Sequence, residues 1–354
     1  LSAGKRWEEA ESVYKKGLAV DPGNVNLRLS RWQLLFDTNQ FEAALKEADF
    51  CDTPEARVHG LETLFALGRI EQIYQRISKF SDSGKENIAL AAFAAFISNR
   101  ESRETTYKFC EAPLAFMHVS NLSNHINGSR EFITEILEEL SELQTIWEPV
   151  KKSTRGGFQT PAHLNLFENK SPNITKLNSI IFDELDLYHH KFENETCSYI
   201  KNWPATKNIW GWHVLLKRQG YQSPHIHTSG WLSGVIYLKV VPSSGRNEGA
   251  IEFSLDGETY SDRNSPKLIH QPQEGDIVFF PSSLHHRTIP FTEEMDRVIV
   301  SFVNPDRNFQ VDQAQFPPID DSGLTSADRH ATMKTADGGF LLEGRFDFPT
   351  ITSF

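Results

Sequence analysis

Two pairs of histidines are the residues of this chain best suited to metal chemistry. His225 and His227 stand one residue apart at the head of an apolar run, and His285 and His286 end a second apolar run. On a strand, residues at i and i+2 leave the same face, so a His-x-His pair forms a two-ligand clamp. Two surface histidines near a turn would give the same local pattern. Two strands that bring imidazoles to one end of a barrel would build a metal site.

The two stretches resemble the double-stranded β-helix oxygenases that depend on iron(II) and 2-oxoglutarate. Those enzymes carry an early His-x-Asp or His-x-Glu, a distal histidine before a proline, and a basic residue further along. The match is closer to a group of such oxygenases from bacteria and phages, whose first motif reads His-x-His. Here the corresponding segments are HIHTSGWLSGVIYL, GDIVFFPSSLHHRTIP and Arg297. The resemblance covers about residues 155–305.

The resemblance implies an iron(II) site made by three histidines. His225 is the first ligand, His227 stands where the wider superfamily has a carboxylate, and His286 is the distal ligand. His285 competes for the distal role, but the spacing of His286 to Pro290 fits the motif better. Such a site leaves positions open for the cosubstrate and dioxygen.

The same resemblance implies a 2-oxoglutarate pocket. Arg297 is expected to hold the far carboxylate, a role suited to a planar cation that binds in a bidentate manner. Ser301 lies on the same strand face as Arg297, and Ser301 and Tyr237 are expected to add hydroxyl contacts. Both are equally plausible as core residues.

A histidine in place of the usual carboxylate leaves the metal with neutral protein ligands. This change is expected to weaken metal binding and to shift charge compensation to 2-oxoglutarate. In one alternative, His227 does not bind and water completes the shell. In another, a carboxylate such as that of Glu252 or Asp276 takes the third position.

The elements around these motifs predict an all-β domain over residues 148–305. Short β-branched and aromatic runs separated by Gly, Pro, Asn and Ser follow one amphipathic helix that begins near Asn173. Six or more such runs predict a sandwich or barrel, of which a double-sheet jelly roll is the closed form. Residues 306–354 are polar and poor in aliphatic side chains, and we assign them to a C-terminal tail.

Residues 1–147 are predicted to be a domain of helical repeats. Phe41 follows Trp7 by 34 positions, and Ala44 follows Ala10 by the same interval. This period resembles the tetratricopeptide repeat, a helix-turn-helix unit that stacks into an array with a concave surface. From 86 to 143 the period is lost, although the sequence still predicts helices. The expected fold is therefore multidomain, with all-α repeats before a double-stranded β-helix.

Composition excludes several classes of protein. A formal charge of −11 and a pI near 5.7, without a dense Lys/Arg run, give no reason to expect nucleic acid or anionic membrane as a partner. We find no apolar run long enough for a spanning helix. The three separated cysteines indicate reduced thiols and a cytoplasmic location. The chain starts at Leu1 within a helical pattern, so we expect preceding sequence, in which a targeting signal is an open alternative.

These observations predict an iron(II)- and 2-oxoglutarate-dependent dioxygenase. By resemblance, it would use dioxygen to hydroxylate a protein or peptide substrate recruited by the helical repeats. Two other readings stay open: a repeat-based adaptor with a degenerate barrel, and a three-histidine cupin-type metalloenzyme that does not use 2-oxoglutarate. The identity of the substrate is beyond the sequence.

Overall fold

The computed structural model describes residues 3–81, 87–243, 245 and 247–305. The predicted tail, 306–354, lies outside the described residues. Helices come first and antiparallel strands follow, as the sequence predicted. The helices are α1 (Ala3–Val20), α2 (Val25–Asp37), α3 (Phe41–Phe50), α4 (Pro54–Ala66), α5 (Ile70–Ser81), α6 (Ile88–Glu101), α7 (Ser129–Ser141), α8 (Pro172–Phe192) and α9 (Ser198–Lys201).

Capping residues define where several of these helices begin. The side chains of Asn24, Thr53 and Asn87 each accept a hydrogen bond from the backbone N–H three residues ahead. Such caps satisfy N–H groups that have no partner within the helix. Neighbouring helices from α1 to α5 then pack against one another along the chain. The first part of the protein is thus a series of adjacent helices.

Helix α6 is apolar on all sides because it packs between neighbours, with Ile88 and the stretch from Leu90 to Ile97 buried. The prediction of helices throughout 86–143 is confirmed at α6 and α7 and is wrong between them. There the chain forms a strand, His118–Asn121, which pairs with a strand at Asp276–Pro281. This short polar strand carries no alternating apolar pattern, so the sequence gave no signal for it.

The strands form two antiparallel sheets. The strands are β1 (His118–Asn121), β2 (Ile146–Trp147), β3 (Thr154–Gln159), β4 (Trp210–Gln222), β5 (Gly230–Lys239), β6 (Ile251–Ser254), β7 (Lys267–His270), β8 (Asp276–Pro281), β9 (His285–Thr288) and β10 (Arg297–Pro305). A major sheet has the order β1-β8-β5-β10-β4-β3-β2, and a minor sheet has the order β7-β6-β9. The sequence predicted β4 to β8 and β10, and it missed the four others, which are short, polar or rich in glycine.

One face of the major sheet lines a cavity. Strand β10 is central and pairs with β4 on one side and β5 on the other. Because side chains alternate along a strand, Arg297, Ile299 and Ser301 share the inner face. The opposite face packs on α8, where Tyr188 lies 5.9 Å from Phe279 between ring centres. One buried core includes residues from α4 to α8 and from both sheets. The predicted division at 147/148 stays a prediction.

A buried carboxylate ties α8 to the edge of the major sheet. Glu184, on α8, is 1% exposed and accepts hydrogen bonds from His118, Ser120 and His125. Burial alone would raise the pKa of this carboxyl, but these hydrogen bonds outweigh it and lower the pKa from 4.5 to about 2. The ionised form of Glu184 therefore stabilises the fold.

We predict that Glu184→Gln lowers the free energy of unfolding at neutral pH by about 3 kcal/mol. The stabilisation is complete above pH 4.5 and is lost as the pH falls towards 2, so the difference from wild type should shrink over that range. Denaturant titrations at several pH values measure it. Asp186→Asn is the control, since Asp186 is an exposed carboxylate of the same helix paired with Lys207; its effect should stay below about 1 kcal/mol. Equal effects of the two variants would contradict the prediction.

Candidate metal centre

A pair of backbone hydrogen bonds joins two of the predicted ligands. The N–H of His225 donates to the carbonyl of His286, and the N–H of His286 donates to the carbonyl of His225, both at 3.1 Å. The two residues form an isolated antiparallel bridge between the segment after β4 and strand β9. Their ring centres lie 4.2 Å apart. The bridge therefore places two imidazoles side by side.

His227 completes the cluster from the segment between β4 and β5. The sequence predicted that His227 lies on a strand, but it lies outside the regular strands. Its N–H donates to the carbonyl of Ser282 at 3.2 Å. Its ring centre is 5.1 Å from that of His225 and 4.9 Å from that of His286. One ring nitrogen of each histidine lies within 4.8 Å of the others. This spacing fits a single metal ion bound by three imidazoles.

Hydrogen bonds on the far side of the rings orient the histidines. Nδ1 of His225 is 2.7 Å from the carbonyl oxygen of Ser223, and Nδ1 of His286 is 3.1 Å from that of Leu284. A carbonyl oxygen only accepts, so each Nδ1 carries the proton and each Nε2 keeps an unprotonated lone pair. Outer partners of this kind commonly fix the tautomer of metal-binding histidines.

His227 has a comparable support made of two hydroxyls. Its Nδ1 lies 2.7 Å from Oγ of Ser233, which lies 2.7 Å from Oγ of Ser282. Nδ1 of His227 is able to donate to the first hydroxyl, which leaves Nε2 for the cluster. Ser233 was missed by the sequence reasoning, although its two-residue spacing from Val235 placed it on the inner face with Tyr237.

All three imidazoles are suited to metal binding in their neutral form. Burial lowers the pKa of His225 to about 4, and the pKa values of His227 and His286 are lowered well below 6.5 by burial and by the neighbouring histidines. Neutral imidazole is the form that coordinates a metal. Three neutral imidazoles are therefore a suitable set of ligands for a divalent metal ion.

The two carboxylates considered as substitute ligands have other partners. Glu252 accepts hydrogen bonds from Nε and Nη2 of Arg287 at 2.9 and 3.0 Å. Asp276 contacts His270 and the N–H of Gln273, at 3.0 and 2.9 Å. Within the described ranges, the only His, Cys, Asp and Glu group with metal-ligand spacing is the three-histidine cluster.

His285, the competitor for the distal position, faces away from the cluster. It precedes His286 on β9, and successive side chains of a strand point to opposite faces. Its ring packs at right angles to Tyr260, with ring centres 5.6 Å apart. Burial lowers the pKa of His285 to about 3.

A buried cation and a phenol lie in the same cavity as the histidines. Arg297 is 1% exposed, and its Cζ is 5.0 Å from the centre of the Tyr237 ring. Nη1 of Arg297 and the hydroxyl of Tyr237 are buried without a hydrogen-bond partner among the residues that the structure describes. Burial raises the pKa of Tyr237 to about 12, so its hydroxyl keeps its proton. Unpaired buried donors are costly, and these two fit an anion such as a carboxylate.

The cavity brings together all six site residues predicted from the sequence: His225, His227, His286, Arg297, Ser301 and Tyr237. Sequence reasoning missed Ser153, a neighbour of the histidine cluster whose Oγ lies 3.3 Å from Nε2 of His225. It stands 72 positions before His225, at a distance that no motif spans.

Residues 211–303 match the family described as "Putative 2OG-Fe(II) oxygenase". This part of the chain is similar to the 2OG-Fe(II) oxygenase family. The match runs from β4 to β10 and includes the three histidines and Arg297. Iron(II) and 2-oxoglutarate are the family's cofactors, as the sequence predicted, and the three-histidine cluster fits an iron site. No curated protein matches the chain.

Solved structures give distant similarities. A Pseudomonas putida prolyl-4-hydroxylase is 13% identical, with 54% of this chain and 92% of that chain covered and a TM-score of 0.38. HygX from Streptomyces hygroscopicus, solved with nickel, 2-oxoglutarate and hygromycin B, is 13% identical over 55% of this chain and 84% of its own, with a TM-score of 0.39. A prolyl hydroxylase from Trichoplax adhaerens is 12% identical over 62% and 90%, with a TM-score of 0.38. Because these TM-scores are below 0.5, the similarity to the oxygenase family rests on the sequence match over residues 211–303.

The hydropathy of the helices adds one finding. Among the described residues, no helix combines the length and the apolar character needed to cross a membrane. The cytoplasmic location stays a prediction.

We predict that His285→Phe retains metal binding and that His286→Phe loses it. Phenylalanine preserves the ring that packs on Tyr260 but has no ligand nitrogen, so the pair of variants separates a packing role from a coordinating one. Titration with Co(II), followed by absorption, measures the affinity. The loss in His286→Phe should exceed the roughly 10–100-fold that an outer partner costs. Loss of binding in His285→Phe with retention in His286→Phe would reverse the assignment.

Proposed function

We propose that this protein is an iron(II)- and 2-oxoglutarate-dependent dioxygenase that hydroxylates a protein or peptide substrate. The observation that carries the proposal is the content of one cavity. Three imidazoles converge in it, and Nη1 of the cationic Arg297 and the hydroxyl of Tyr237 lie there without a hydrogen-bond partner among the described residues. A metal ligand set and a carboxylate receptor in one cavity are the two parts that such an enzyme needs.

Each residue of the cavity has a role in this proposal. His225, His227 and His286 hold iron(II). Arg297 binds the far carboxylate of 2-oxoglutarate. The hydroxyl groups of Tyr237 and Ser301 donate further hydrogen bonds to the cosubstrate. When bound, iron(II) and 2-oxoglutarate would supply the oxidising chemistry, in which 2-oxoglutarate loses carbon dioxide, one oxygen atom of dioxygen enters succinate and the other enters a C–H bond of the substrate.

His227 is the third ligand in this proposal. Its Nδ1 is engaged by Ser233, its Nε2 is left for the metal, and Glu252 and Asp276 have partners elsewhere. The protein then gives the metal no negative charge. The positive charges of the metal and of Arg297 attract the dianionic 2-oxoglutarate. The negative charge that balances the metal therefore comes from 2-oxoglutarate.

Two further parts of the proposal concern the fold. The two antiparallel sheets, with the cluster between them, support a double-stranded β-helix. The adjacent helices α1 to α5 and the 34-residue interval from Trp7 to Phe41 support tetratricopeptide-like repeats. Such repeats bind polypeptides on a concave face, which supports a protein or peptide substrate by analogy.

The two other readings are less well supported. A degenerate adaptor has no need of three mutually oriented, neutral imidazoles in one cavity. A three-histidine enzyme that does not use 2-oxoglutarate has no need of a buried Arg297 beside them whose Nη1 lacks a partner among the described residues. The family match over 211–303 also favours the dioxygenase.

Turnover of the cosubstrate tests the proposed activity. Wild-type protein supplied with iron(II), 2-oxoglutarate and dioxygen should form succinate, detected by NMR, and omission of iron should abolish it. Absence of both succinate formation and iron-dependent 2-oxoglutarate binding would overturn the proposal.

We predict that Arg297→Met weakens the binding of 2-oxoglutarate by at least about 30-fold, since loss of one partner of a buried charge pair costs about 2–5 kcal/mol. Methionine fills similar space without the charge. Tyr237→Phe, which removes only a hydroxyl, should cost about tenfold or less. Anaerobic titration of the Mn(II)-loaded protein with 2-oxoglutarate measures both. Unchanged affinity in Arg297→Met would show that the cosubstrate does not use this cation.

The polypeptide substrate has its own test. His286→Ala should retain a substrate that it fails to turn over, so proteins captured by this variant are identified by mass spectrometry and then offered to the wild type. A substrate gains the mass of one oxygen atom in a reaction that requires 2-oxoglutarate. Turnover of small molecules alone, with no captured protein modified, would contradict this part of the proposal.

A further inference from the structure

The loop between β6 and β7 lies against the helical part of the protein. Tyr260, in this loop, is 5% exposed. Its ring centre lies 5.0 Å from that of Phe93 and 4.7 Å from that of Phe96, both on α6. Nε of Arg100, near the end of α6, is 3.2 Å from a carboxylate oxygen of Asp262. The loop is thus held on α6 by an aromatic cluster and an ion pair.

The same tyrosine contacts the strand that carries the distal histidine. The Tyr260 ring packs perpendicular to that of His285, 5.6 Å away. His285 and His286 are consecutive on β9, so one faces the loop and the other faces the metal cluster. Tyr260 therefore lies directly behind the backbone that positions His286.

Strand β9 is short, and its pairing and the side-chain contacts of His286 and Arg287 lie beside the packing of His285 on Tyr260. It comprises four residues, His285–Thr288, and pairs along its length with β6. On its other side the His225–His286 bridge supplies two hydrogen bonds. A ligand must be held to within about 0.5 Å of its productive position. A strand this short depends on what packs against its outer face.

We propose that Tyr260 is a positioning residue for the metal centre, which holds His285 against α6 and thereby fixes His286. The inference rests on the proposed role of His286 as a ligand. The ring makes these contacts, and the hydroxyl is not part of the argument. Helix α6 is then part of the support of the metal site.

Tyr260→Leu should weaken binding of Co(II) by about 10–100-fold, the range expected for loss of an outer partner. The absorption bands of bound Co(II) should also shift, because the geometry of the ligands changes. Tyr260→Phe keeps the ring and should bind Co(II) within about twofold of wild type, with an unchanged spectrum. Both variants are tested in the full chain.

Phe132→Leu is the control for a general loss of stability. Phe132 is a buried aromatic residue of α7, a helix that packs against α8. Denaturant titrations compare the stability of all variants. Phe132→Leu should lower the free energy of unfolding while leaving the Co(II) affinity and spectrum unchanged.

The outcomes separate this inference from the proposed function. If Tyr260→Leu binds Co(II) with wild-type affinity and spectrum while His286→Phe does not bind, Tyr260 has a packing role only and the inference is overturned. The same holds if Phe132→Leu weakens Co(II) binding as much as Tyr260→Leu does. If wild-type protein does not bind the metal, the proposed function fails as well.

Discussion

The reciprocal backbone hydrogen bonds between His225 and His286 are the constraint on which the site depends. They join the segment after β4 to strand β9 and hold two imidazoles 4.2 Å apart between ring centres. His227 is then added two residues later on a segment that is bonded to Ser282. The helices, the sheets and the loop at Tyr260 serve to keep this bridge in place. A small displacement at β9 would move a ligand.

Charge is the second constraint. The cluster offers three neutral imidazoles, and the same cavity contains Arg297 with an unsatisfied Nη1. Nε of Arg297 donates to the carbonyl of Gly249 at 3.1 Å, but Nη1 has no partner among the described residues. A buried cation without an anionic partner is strongly unfavourable, so this guanidinium indicates an anionic ligand. In the proposed enzyme, the cosubstrate brings the negative charge that the usual aspartate or glutamate would supply. Metal and 2-oxoglutarate are therefore expected to strengthen each other's binding.

Much of the site could be predicted from the sequence because the histidines stand at motif spacing and Tyr237, Arg297 and Ser301 lie on strands with a period of two. That period places Arg297 and Ser301 on one face, and the spacing to Pro290 favoured His286 over His285. Other parts had no local signal. Ser153 approaches His225 only through tertiary folding, and β1 and β9 are too short and polar to show a pattern. The packing of Tyr260 on α6 joins distant segments, which a single sequence does not reveal.

The most direct test of the central claim is a crystal structure of the protein with Mn(II) and 2-oxoglutarate. The account predicts one metal ion bound by Nε2 of His225, His227 and His286, with the far carboxylate of 2-oxoglutarate on Arg297. A metal bound by a carboxylate side chain in place of His227, or a 2-oxoglutarate that leaves Arg297 without an anionic partner, would contradict it.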